Sequence, residues 1–159
     1  MTTNHQHGAL LIEVLIGTAI LAGVLVALAG ALNQFNLLAV DNLRKTQATF
    51  LAVEGLEALR AKRDTSWAEA INSLAREADY YLVWQTDHWD LSATPSLVDN
   101  RFDRRVSLSD VYRDANNDIA ATGTFDPDTI LATARVSWLG RGGTTTKEIA
   151  AYLTNLFAN

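Results

Sequence analysis

The chain has 159 residues, a net charge of −5 at neutral pH and no cysteine. The missing cysteine excludes a disulfide framework and a cysteine-ligated zinc centre. The acidic balance argues against a nucleic-acid binder, which needs a concentrated basic face.

At this length the chain suits one globular domain plus one anchoring helix. A mean hydropathy near zero averages an apolar start over a polar remainder. That remainder must bury a modest core by packing alone, with Trp67, Trp84, Trp89 and Trp138 as its natural anchors. The longest basic cluster, Arg60, Lys62 and Arg63, lies beside Glu57 and Asp64 and reads as a solvated helix end.

From Ala9 to Leu32 the only charged side chain is Glu13. About 20 apolar residues span a bilayer as a helix, so a transmembrane segment is expected here. A cleavable secretory signal would instead need a positively charged start and an apolar core of roughly 7–15 residues. Here the apolar run is longer, and Met1–His7 holds no Lys or Arg. A carboxylate inside such a helix costs about 2.5–3.5 kcal/mol on insertion scales. It either marks a function with a partner nearby or snorkels to the headgroups from the membrane edge.

Gly8-Ala9-Leu10-Leu11-Ile12-Glu13, followed by Val14-Leu15-Ile16-Gly17, resembles the class III signal of type IV prepilins and pseudopilins. The resemblance implies that a prepilin peptidase cuts between Gly8 and Ala9 and methylates the new N-terminus. It also carries the family's assembly carboxylate onto Glu13. The chain departs from the pattern in two places: Ala9 stands where Phe is usual, and the leader offers only His5 and His7 in place of Lys or Arg. Arg44 and Lys45 lie on the far side of the apolar run, so charge bias gives the expected orientation little support and the resemblance carries it. A free amine on Ala9, one helical turn from Glu13, would pair with Glu13 of a neighbouring subunit and set its register. An unpaired charge in an apolar medium costs far more than a matched pair.

Ala19, Gly23, Ala27 and Ala31 recur every four residues and form a stripe of small side chains. Such a stripe lets helices approach closely in lipid, although membrane helices also use Ala and Gly without that purpose.

Between Leu32 and Arg63 only Gly55 weakens the helical pattern. Ala48, Ala52, Gly55, Leu56 and Leu59 form one apolar face, with Glu54, Glu57, Arg60 and Lys62 largely opposite. Glu57 and Arg60 are placed for an i, i+3 pair. One helix from about Leu10 to Arg63, about 80 Å long, is expected, its second half packed on the head. The run Gln47 to Asp64 resembles the stretch that follows the anchor in many minor pilins and pseudopilins.

Beyond Asp64, Trp67, Ile71, Leu74 and Ala78 predict a short second helix over 66–81. Residues 85–100 read as loop, with Trp89 and Leu91 pinning it to the core. Three strands are expected, at 104–112, 130–139 and 144–153. In the first, Val106 and Leu108 share a face that Asp110 interrupts. In the second, Ala132, Ala134, Val136 and Trp138 share one face. Gly140-Arg141-Gly142-Gly143 is a turn between the last two. The closing pattern, Arg135 to Trp138 and then Ala151 to Asn155, resembles the C-terminal sheet of minor pilin-like proteins. The fold class is therefore α+β: a long N-terminal helix, transmembrane in its first half, packed against a C-terminal antiparallel β-sheet. The divisions are a leader 1–8, a membrane and assembly helix 9–32, its amphipathic continuation 33–64 and a head 65–159.

Asp114, Asn116 and Asp118 alternate as the oxygen ligands of a calcium loop do. An EF-hand, however, would want Gly at Ile119 and Glu at Phe125. The same residues also suit a polar connection built on Asx turns. His88, near Asp87 and Asp90, is the only histidine beyond the leader, and no nucleophile elbow or phosphate loop accompanies it. The expectation is therefore no enzyme and no cofactor, with calcium the one candidate ion.

The resemblance implies a minor pilin or pseudopilin of a type IV pilus or type II secretion pseudopilus. A major pilin subunit is the alternative within that family. From another class, a single-pass membrane-tethered binding domain is the alternative. Implied partners are the prepilin peptidase, other pilin or pseudopilin subunits, the inner-membrane assembly platform and, before assembly, membrane lipid; no nucleic acid is expected. The implied location is the bacterial cytoplasmic membrane first and an extracellular or periplasmic filament afterwards.

Overall fold

The computed structural model describes residues 10–156 with their side chains, and the backbone alone of residues 4–9. Helix α1 runs Asn4–Thr65. After it come a π-helical turn, Trp67–Asn72, and the strands β1 (Tyr80–Trp84), β2 (Trp89–Ser92), β3 (Leu97–Val98), β4 (Phe102–Arg113), β5 (Ile119–Ala120), β6 (Thr124–Gly140) and β7 (Gly143–Thr154). The chain divides into two compact units, residues 1–43 and 44–159.

In the first unit the helix of residues 10–43 leaves its apolar side chains exposed around the whole circumference, from Leu10 and Leu11 to Leu38 and Val40. This segment is long and apolar enough to cross a membrane. Its one hydroxyl in the apolar run is satisfied internally: Thr18 donates to the Leu15 carbonyl at 3.0 Å.

In the second unit the sheet is antiparallel, in the order β2-β1-β4-β6-β7, with β3 and β5 also pairing on β4. Its inner face and one face of α1 share a single core. Ala48, Ala52, Leu56, Ala58 and Leu59 of the helix join Val106, Leu108, Ala132, Ala134, Val136, Trp138 and Leu153 of the sheet. The apolar spacing read in the sequence is thus the buried face. Gly55 is also a contact, not a flaw. A Cβ there would lie 3.2 Å from both the Ala134 Cβ and the Val106 Cγ1. The missing side chain therefore sets how near the helix comes to the sheet.

The expected strands all form, and each is longer than the sequence pattern suggested. Ala132, Ala134, Val136 and Trp138 are all buried, as their alternation requires. Asp110 does not break the core. The pairing of β4 with β6 shifts between Asp110 and Val111, and Val111, just past the shift, is buried. Pro127 falls in the stretch of β6 left out of that register, and proline has no N–H to give the ladder. Gly140 pairs with Gly143 across the expected turn.

Two expectations fail. The helix predicted over 66–81 stops after one π-helical turn. Ser66 caps its start by accepting from the Glu69 N–H at 3.2 Å. Arg76 then takes the Ile71 and Leu74 carbonyls on its Nη1, at 3.2 and 3.0 Å, and Glu77 adopts φ 58°. With its last carbonyls captured and a left-handed residue following, the backbone leaves the helix for β1. The stretch 85–100 is likewise not simply loop, because β2 pairs with β1 and β3 with β4. Of the four expected tryptophan anchors, Trp67 and Trp138 are buried and Trp89 is half-buried. Trp84 is 57% exposed and does not belong to the core.

Candidate functional site

Glu13 lies on the exposed surface of α1, in a turn flanked by Leu10, Ile12, Val14 and Ile16, all of them exposed. A carboxylate in that setting has only apolar groups around it on its own helix, so any charged partner must come from elsewhere. The cleavage point expected between Gly8 and Ala9 lies outside the residues described with side chains, as does the whole of the leader 1–8. Ala19, Gly23, Ala27 and Ala31 are exposed along one side of the helix, and nothing lies within 4 Å of where a Gly23 Cβ would stand.

Asp114, Asn116 and Asp118 lie in a turn between β4 and β5. Asp114 Oδ1 accepts from the Asn116 N–H at 2.8 Å and from the Asp118 N–H at 3.0 Å. The Asp114 N–H donates to the Asp118 carbonyl at 2.9 Å, and Asn117 takes φ 66°. This is an Asx turn, and it commits one oxygen of Asp114 to the backbone. Among the described residues no three His, Asp or Glu side chains converge as a metal set.

Next to this turn, Arg113 donates from Nε to Asp126 at 2.6 Å and from Nη1 to the Asn117 carbonyl at 2.9 Å. Burial alone would raise the Asp126 carboxyl. The hydrogen bonds from Arg113 and Thr129 outweigh it and hold the group below its ordinary range.

Two features escaped the sequence reading. Arg104 is buried, donates to Glu54 of α1, and lies 5.0 Å over the Trp89 ring. Its parity with Val106 and Leu108 was the available signal, since alternate residues of a strand face one way. The basic cluster at the end of α1 is also tied down. Lys62 reaches Asp90 on β2 at 3.0 Å, and that bond, with one from the Leu91 N–H, lowers the Asp90 carboxyl.

On the outer face of the sheet Arg105 bridges Asp103 and Asp79, which raises its guanidinium above the usual arginine range. His88 pairs with Asp87 at 2.7 Å on the exposed turn between β1 and β2, where both side chains face solvent. Comparison with protein-family models, curated proteins and solved structures finds no match to this chain.

Proposed function

We propose that the chain is a structural subunit, a minor pilin or pseudopilin, that joins a type IV filament or secretion pseudopilus through its N-terminal helix. One observation carries the reading: a membrane-length apolar helix holds a lone carboxylate, Glu13, five residues after Gly8. Anchoring alone needs no carboxylate, and keeping one there costs energy unless a cation meets it. An amine created on Ala9 by cleavage after Gly8 supplies that cation in a neighbouring copy. The same helix continues into the unit that carries the sheet, which supports the reading.

The intact mass of the chain, expressed beside a prepilin peptidase, tests this. A product starting at Ala9 and heavier by one methyl group is expected, and Gly8→Leu should retain residues 1–8. A product that keeps Met1–Gly8 in the unaltered chain overturns the reading and favours a membrane-tethered binding domain. Glu13→Ala should insert in membrane normally and be lost from assembled filaments; normal incorporation would remove Glu13 from its register-setting role.

A further inference from the structure

The end of α1, the π-helical turn and the β1–β2 hairpin enclose an open groove of about 580 Å³ within the second unit. Its floor is made of small residues, Ala58, Ala61 and Ala70. Its walls are Trp84 and Trp89, and its rim carries Lys62, Thr65, Asp87 and His88. The volume lies within the range of small-molecule clefts, about 300–1,000 Å³.

Trp84 is the unusual member. It is 57% exposed at the end of a strand whose Tyr81 and Leu82 are buried. Leaving an indole in water forgoes a large burial gain, yet this ring is held in place. It meets Trp89 edge to face, with centroids 5.0 Å apart and planes at 73°. Trp89 is held in turn beneath the guanidinium of Arg104, and Arg104 by Glu54. A fixed, solvent-facing ring loses little entropy when a ligand stacks on it.

The polar rim narrows the ligand class. Lys62, the lysine on the rim, is paired with Asp90, which disfavours an anion. Asp90 is bound to Lys62 and Asp87 to His88, and Arg104 takes the position over Trp89, so Trp84 is the open ring of the pair. What remains is one indole face, electron-rich at its centre, bordered by hydrogen-bonding groups on Asp87, His88 and Thr65. Thr65 already donates its hydroxyl hydrogen to the Ala61 carbonyl and keeps lone pairs for an incoming donor. A pyranose ring has the complementary form: a face of C–H bonds with hydroxyls around its edge.

We propose that this groove binds a neutral saccharide, with Trp84 as the stacking platform and Asp87, His88 and Thr65 as hydroxyl partners. The site is independent of whether the chain enters a filament.

The test uses the full chain in lipid nanodiscs, free of sugar-based detergent. It is titrated with neutral oligosaccharides (cellotetraose, chitotetraose and lacto-N-tetraose), with sialyllactose and with tetramethylammonium. Tryptophan fluorescence and saturation-transfer NMR report binding. Saturable binding of at least one neutral oligosaccharide is expected. Trp84→Ala should weaken it by about tenfold or more, as for an anchoring tryptophan. Ala61→Phe, which fills the floor from an exposed helix position, should weaken it comparably, and Leu139→Ala on an exposed part of β6 should leave it unchanged. The proposal is overturned if no neutral oligosaccharide binds, if Trp84→Ala binds as well as the unaltered chain, or if sialyllactose or tetramethylammonium binds more tightly.

Discussion

Residues 10–43 and residues 44–65 share one helix and differ in what surrounds them. In the first stretch Leu, Ile and Val face outward on every side; in the second, alanines, a glycine and two leucines gather on one buried face. Backbone hydrogen bonding is the same in both, so helix formation alone distinguishes nothing. The difference lies in where the apolar area goes. A helix apolar all round calls for a lipid or protein environment on every side, whereas a one-sided helix needs a single packed partner and can face water elsewhere.

The largest expected effect separates the two stretches directly. Leu59 is fully buried and Leu25 is 56% exposed. Leu59→Ala should cost about 2–5 kcal/mol by loss of transfer energy and a residual cavity. Leu25→Ala should leave the unfolding of the sheet-bearing unit unchanged. Urea unfolding followed by tryptophan fluorescence compares them, and equal losses would break the contrast.

A smaller effect is expected at Gly55. Gly55→Val adds three carbons where even a Cβ meets Ala134 and Val106 at 3.2 Å. A loss of about 1–3 kcal/mol should follow from overpacking, read in the same urea experiment. The equivalent change at Gly23, where the structure is open, should cost none of it.

Next comes the buried cation. Glu54→Gln removes the charge that meets Arg104 while the carboxylate side of the pair is partly exposed. About 1–2 kcal/mol of stability should be lost, and Arg104→Met together with Glu54→Gln should recover part of it.

The smallest effect is one of pH. Asp126 and Asp90 both ionise more readily in the folded chain than in the unfolded one. They therefore favour the fold fully above the ordinary carboxylate range, about 3.9, and that help fades as pH falls through and below it. Urea midpoints between pH 6 and pH 3 should fall more gently in Asp126→Asn than in the unaltered chain.

The strands at β4, β6 and β7 were legible because each is long enough for alternation to show, and the glycine-rich turn marked the last hairpin. Strands β1, β2, β3 and β5 were not, since two to five residues carry too little period. The spacing of Trp67, Ile71, Leu74 and Ala78 suggested a helix that the Arg76 side chain and the positive φ of Glu77 bring to an end. A long side chain reaching back onto carbonyls leaves no periodic trace. The candidate groove was hidden for a related reason. Trp84 and Trp89 looked like core residues by type, and only the hairpin between them turns one ring outward.

By itself the sequence determined the apolar helix, its single carboxylate, the buried face that follows and the α+β character of the whole. These rest on composition and local period, which act over a few neighbouring residues. Tertiary structure alone decided that Gly55 is a contact, that Arg104 meets Glu54, that Lys62 meets Asp90 and that Trp84 stays in water. Each of these depends on residues far apart in the chain whose meeting is fixed by how helix and sheet share one core.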